Sequence, residues 1–269
     1  MSYFLKEKSF STQVGKFAIK KAFGKKSGIY FLYGMRRSGN HACMNWLINA
    51  LEGRESERLS VSETTYFSIT KTGRTVVLND ISTLSDKRYL ELVLFNLNAI
   101  RRADYLVISA EDVFTNYQAY WRVPDRAKNI CVRRSTLNLL ASRYQSINSN
   151  ATRGISKSTM QLNEGFFKKL KSVLNDESSL IWDFDRWLAD CRWREAFLQK
   201  LGLEIDILPM PSIEGGGSSY RSADSRSSNL MERYKETEPR EHWKSFLLEA
   251  KACWPSVFTK QELESIENL

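Results

Sequence analysis

The sequence predicts an α/β fold of three layers, a central parallel sheet with helices on both faces. Two observations carry this. Short apolar runs of strand length occur at 29–33, 75–79, 105–109 and 129–133, and stretches of helical periodicity sit between and after them, near 85–102, 135–147 and 160–174. Near-continuous apolar strands alternating with helices are the pattern of a sheet buried on both sides. The length, 269 residues with 42% hydrophobic and 26% charged, suits one large domain with a full core.

Residues 1–27 carry seven lysines and one acid, and Phe10, Val14, Phe17, Ala18 and Phe23 are spaced to share one helix face. This arm is expected either to rest on acidic lipid as a basic amphipathic element or to pack its apolar stripe on the domain. The remainder, 28–269, reads as a single α/β domain, without internal repeat or composition break. Its first strand is 29–33, followed by a glycine-framed loop and an amphipathic helix from about 40 to 51. After 174 come a short strand, a helix ending near Gly202 and a short extended piece. The stretches 146–158 and 211–229 read as polar loops, and the chain from about 229 reads as helical, broken near 254–256.

Several classes are set aside at this level. No run of about 18 apolar residues occurs, so no membrane-spanning helix is expected. The first ten residues lack an apolar signal region, so a cytoplasmic location is expected, peripheral at a membrane surface if residues 1–27 bind lipid. Cys43, Cys131, Cys191 and Cys253 show no paired spacing, which points to free thiols and away from zinc. The net charge of +9 is compatible with nucleic acid, a membrane surface or an anionic small molecule, and does not choose among them.

Ligands of parallel sheets bind at the carboxyl ends of the strands, so residues just past 33, 80, 109 and 133 are the ones to inspect. At the first lies GMRRSGNHA, residues 34–42, in which Gly34 and Gly39 frame four residues. That is the skeleton of a phosphate loop, but Asn40 and His41 stand where Lys and Ser or Thr are wanted. Asn40 supplies no charge, and His41 is a poor ligand for Mg²⁺, so metal-assisted phosphoryl transfer by the usual route is disfavoured. The anion-binding part is kept: a glycine turn feeds a helix N-terminus, and Arg36 and Arg37 offer rigid donor forks.

The RRSGN segment resembles the 5′-phosphosulfate loop of sulfotransferases, P-K-S-G-T-T, with Arg37 in the place of the catalytic Lys. GMRRSGNHA is closer still to a bacterial branch of sulfotransferase-like proteins. A second match follows in ICVRRSTLNLLASRY, where Arg134 and Ser142 stand eight residues apart across a strand end and the next helix. In the resembling family such a pair holds the 3′-phosphate of 3′-phosphoadenosine 5′-phosphosulfate (PAPS), and Arg133 is the alternate register. A third segment, GGGSSYRS at 215–222, is placed to close over that phosphate through Gly217, Ser218 and Ser219. The family's R-K-G form is absent there.

The resemblance implies a P-loop-like three-layer fold and a transferase that moves a sulfuryl group from PAPS to a hydroxyl or amine, leaving 3′,5′-adenosine bisphosphate and using no metal. Arg36, Arg37, Ser38, Gly39, Asn40 and His41 would hold the phosphosulfate. Arg37 would stabilise the leaving charge, and His41 either donates to the sulfate or is a plain first-turn residue. The acceptor needs a general base. Glu111 and Asp112 lie 23 and 22 residues before Arg134, near the family's spacing for its base. Glu111 is the first choice, with Asp112 and Asp80 as alternatives, or the acid pair caps the following helix. The family's adenine-binding Trp is replaced by Ala42, Trp46 reads as core, and adenine contacts stay unassigned. A carbohydrate or lipid acceptor is expected, and nucleic acid is not. Two other readings stay open: a kinase-like phosphotransferase with Asp80 on the metal, and a non-catalytic binder of anionic surfaces led by residues 1–27.

Overall fold

The computed structural model describes residues 21–24, 26–56, 58–60, 66–113, 123–152, 162–209, 233–237 and 240–269. In chain order these form β1 (Gly28–Gly34), α1 (Asn40–Glu52), β2 (Arg58–Ser60), β3 (Phe67–Thr70) and β4 (Thr75–Leu78). Then come α2 (Asp86–Phe95), α3 (Leu97–Arg102), β5 (Tyr105–Glu111), β6 (Lys128–Arg133), α4 (Thr136–Thr152) and α5 (Glu164–Leu174). The chain continues through β7 (Leu180–Asp183), α6 (Phe184–Ala189), α7 (Cys191–Leu201), α8 (Arg240–Cys253) and α9 (Lys260–Glu267).

One sheet of seven strands runs β2-β3-β4-β5-β1-β6-β7. β1 lies inside it, parallel to β5 and β6, and β4 and β7 extend the parallel set outward. Only β3 is reversed, antiparallel to β2 and β4. The alternation along β1 explains its apolar run. Ile29, Phe31 and Tyr33 enter one core and Tyr30 and Leu32 the other, because both faces are covered. One core is built with α1, α6 and α7 around Trp46, Trp182, Trp187 and Phe197. The other takes α2 to α5, α8 and α9. The three-layer expectation therefore holds at the level of a mostly parallel sheet with helices on both faces.

Two local expectations need correction, and one element went unread. The periodic stretch 85–102 is two helices, divided at Asn96, whose Nδ2 donates to Leu92 O (2.8 Å) and closes α2. The polar stretch expected as a loop from 146 instead continues α4 to Thr152. Ser, Asn and Thr are weak helix formers, but the buried run Leu137, Leu139, Leu140 and Ala141 fixes the helix they extend. The hairpin of β2 and β3 is not among the expected strands, although Leu59 and Val61, and Phe67 and Ile69, alternate with polar residues.

The extended piece after α7 joins no described strand. It is pinned along α1 instead, where Trp46 Nε1 and Arg194 Nε each donate to Asp206 (2.7 Å) and Asn49 Nδ2 to Ile207 O (3.4 Å). At the N-terminal end of the described chain, Ala22 and Phe23 are core residues, and Ser27 N–H donates to Asp104 O (2.9 Å). The rest of the expected amphipathic stripe, Phe10 to Ala18, lies outside the described residues. No helix among the described residues is long and apolar enough to cross a membrane.

Candidate functional site

The carboxyl ends of β4, β5, β1 and β6 meet around the loop between β1 and α1. Two glycines shape that loop. A Cβ on Gly34 would lie 2.4 Å from Val132 O, and one on Gly39 would lie 2.3 Å from Phe184 Cδ2. Gly39 also has φ 104°, which favours glycine. The turn between them is closed by Ser38, whose N–H (3.0 Å) and Oγ (2.6 Å) both donate to Met35 O. Arg37 sits at φ 78°, a conformation uncommon for a side chain of its size. Arg37 is half-buried, and the turn leads into α1 with Gly39 as N-cap. Among the described residues no side chain caps α1, and its first turn carries no acid. Its leading N–H groups and positive dipole end are thus left for something else.

Arg36 turns sideways rather than over the loop. Its Nε donates to Glu111 Oε2 and its Nη2 to Asp80 Oδ2, both at 2.8 Å. Its backbone N–H donates to Asp112 Oδ1 (2.9 Å). Burial works against the guanidinium's charge, but the carboxylates of Glu111, Asp80 and Asp112 outweigh it and raise its pKa above the ordinary value. Asn40, only 3% exposed, adds Nδ2 to Glu111 Oε1 at 3.1 Å. Both carboxylate oxygens of Glu111 are thereby held by residues of the loop and its helix.

Asp80 and Asp112 are fixed as firmly. Ser82 Oγ donates to Asp80 Oδ1 (2.7 Å). Arg143 forms a fork on Asp112, Nη1 to Oδ1 at 2.9 Å and Nη2 to Oδ2 at 3.1 Å. Burial pushes the Asp112 carboxyl up, yet the bonds from Arg143 and the Arg36 N–H prevail and hold it below the usual range. Asp80 (φ 45°) and Asp112 (φ 55°) both adopt left-handed backbone, the strain marking two strand ends that turn sharply into the site.

Arg134 directly follows β6, is 5% exposed, and donates Nη1 to Arg37 O (3.4 Å). Its guanidinium lies over the Phe184 ring, 4.7 Å from the centroid. Phe184 therefore braces both Gly39 and Arg134. Ser142 is buried two turns into α4. His41 is the second residue of α1, with Nδ1 buried and without a hydrogen-bond partner, and the same is true of Asn40 Oδ1.

The loop, Arg134 and the three acids thus come together, as expected from strand ends. Gly217, Ser218 and Ser219 lie outside the described residues. The chain leading toward them runs antiparallel to α1. Ile205 Cδ1 lies 3.5 Å from the Cβ position of Gly53, and Ile207 O accepts from Asn49 Nδ2, one turn nearer the loop.

Sequence reasoning missed three residues here. Arg143 adjoins Ser142 in the quoted motif but carried no motif signal of its own. Asp185 Oδ2 accepts the Ser135 N–H (2.7 Å), and Glu262 Oε1 accepts the Leu137 N–H (3.1 Å), so α4 begins on two carboxylates. Burial raises the Asp185 carboxyl, against the Ser135 bond and the charge of Arg134. A signal for Asp185 existed, since WDFD ends a strand, but the end of β7 was not among the inspected positions. No protein-family model, curated protein or solved structure compared with the chain matches it.

Proposed function

We propose that the protein is a PAPS-dependent sulfotransferase of the P-loop-like α/β/α class, acting on a hydroxyl or amine acceptor. The observation that carries the reading is the uncapped start of α1 behind a glycine turn, with the buried Arg134 donating into the rim of that same turn. An open helix N-terminus beside an arginine is a site for a phosphate or sulfate group. The reading extends to selectivity, because the Arg134 guanidinium, past the end of the neighbouring strand, would anchor a second phosphate.

PAPS, when bound, supplies an activated sulfuryl group. The N–H groups of Gly39, Asn40 and His41 would hold its 5′-phosphosulfate with Arg37, while Ser38, whose N–H and Oγ both donate to Met35 O, shapes the turn instead of touching the ligand. Arg37 brings positive charge to the place where negative charge builds on the departing oxygen, an electrostatic contribution that needs no metal. Arg134 would hold the 3′-phosphate with Ser142 beneath it on α4. Glu111, at the end of β5 and next to the loop, accepts the acceptor's proton. Asp112 is the weaker candidate for this role because the Arg143 guanidinium grips both of its oxygens and the Arg36 N–H adds a third bond, whereas Glu111 has one charged donor and one neutral amide.

Against a kinase-like reading, Asp80 spends one oxygen on Arg36 and the other on Ser82, which leaves it poorly disposed to take Mg²⁺. A thermal-shift comparison tests the proposal. 3′,5′-Adenosine bisphosphate in EDTA is expected to raise the melting temperature more than ATP–Mg²⁺ or GTP–Mg²⁺. A larger shift with either nucleoside triphosphate would overturn it in favour of phosphoryl transfer.

A further inference from the structure

We infer that Arg36 and Asn40 are positioning residues for the strand-end carboxylates and that the anion loop thereby carries two separate tasks. The inference rests on the sulfotransferase reading for what Glu111 does. Its geometry stands independently of that reading.

The loop offers two adjacent arginines and one asparagine, and simple charge counting gives all three to the anion. The contacts divide them. Arg36 bridges Asp80 and Glu111 through two nitrogens of one guanidinium, each bond 2.8 Å. Asn40 holds the other oxygen of Glu111. The charged groups facing this pair come from four elements: Asp80 after β4, Glu111 and Asp112 at the end of β5, Arg36 in the loop and Arg143 on α4. Arg143 is committed to Asp112, so Arg36 is the cation that balances the paired carboxylates of Asp80 and Glu111. Two carboxylates brought to one centre repel, and without a cation between them one takes up a proton more readily. Removing Arg36 is therefore expected to favour a proton on one of the two, and a protonated Glu111 cannot take one from an acceptor. Asn40 reaches Glu111 from inside the loop, with Nδ2 also near Met35 O (3.4 Å) and Oδ1 buried without a hydrogen-bond partner.

The test compares wild type, R36M, R36K, R36M/D80N and R36M/E111Q. Carboxyl titration is followed by NMR on protein labelled at Asp and Glu side-chain carbons. R36M is expected to gain one carboxyl titrating at least one unit above any in wild type. R36K should not show it, and the added D80N or E111Q should remove it. D80N should also restore part of the stability lost in R36M, measured by urea melts, which keeps the test usable if R36M folds poorly. In parallel, bisphosphate affinity should fall at least tenfold with R37M and clearly less with R36M. No new titrating carboxyl in R36M, no rescue by D80N, or an equal loss of affinity in R36M and R37M would each overturn the division of tasks. If wild type binds no bisphosphate, the sulfotransferase reading fails, while the titration and rescue still decide the role of Arg36.

Discussion

Two helices start at neighbouring strand ends on the same side of the sheet, and they start in opposite ways. α4, after β6, opens on the carboxylates of Asp185 and Glu262, which take the N–H groups of Ser135 and Leu137, while Ser135 Oγ accepts from Asn138 N–H. α1, after β1, opens on Gly39 with neither a capping side chain nor an acid. The fold spends two carboxylates to close one helix N-terminus and leaves the other bare. Capping is worth about 1 kcal/mol per helix, so the bare end forgoes a stabilisation that its neighbour has, which supports the proposed anion site. The acids near α1 are turned instead onto Arg36 and Arg143.

The largest effect expected from disturbing this arrangement is at Asp112. Replacing it by Asn breaks the fork on Arg143, whose side chain is 3% exposed, and weakens the bond to the Arg36 N–H that holds the loop. Asp112→Asn should cost about 3 kcal/mol in a urea melt, within the range for breaking a buried ion pair. A loss no larger than that of an exposed pair would show that the loop is not held from this side.

Asp185 gives the complementary measurement. Its folded pKa is raised, so its contribution to stability is fully present below its unfolded value, about 3.9, and is lost as pH rises through the folded value. Asp112 is lowered, so its contribution is present above about 3.9 and lost as pH falls through its folded value. Stability measured against pH for Asp185→Asn and Asp112→Asn, each relative to wild type, should therefore diverge on opposite sides of about pH 4. Parallel curves would contradict the contrast between the two helix starts.

The smallest change in stability comes from closing the open end. Ala42→Glu places an acid at the third position of α1, where it complements the dipole, and should stabilise the fold by about 0.5 kcal/mol. The same substitution should weaken bisphosphate binding at least tenfold, because the carboxylate competes for the site. Stability gained without binding lost would mean that α1 does not face the ligand.

Much of this was legible in the sequence. The glycines of the loop announced a tight turn, and the rule that ligands sit at strand carboxyl ends brought Arg37, Glu111, Asp112, Asp80 and Arg134 to one place. What could not be read was which donors are taken. Whether Ser135 and Leu137 are capped depends on Asp185 and Glu262, which come from elements 50 and 125 residues away along the chain. The direction of Arg36 was equally hidden. Sequence spacing treats Arg36 and Arg37 as equivalent, and only the contacts of Arg36 with Asp80 and Glu111 give it a task of its own. The continuation of α4 past 146 escaped for a related reason, since packing earlier in the helix overrode its polar end.

The most direct test of the central claim is calorimetric titration of the protein, in EDTA, with 3′,5′-adenosine bisphosphate and with adenosine 5′-monophosphate, on wild type and Arg134→Ala. Wild type is expected to bind the bisphosphate at least tenfold more tightly than the monophosphate, and Arg134→Ala to lose most of that difference. Equal affinities in wild type, or a preference that survives in Arg134→Ala, would contradict the claim.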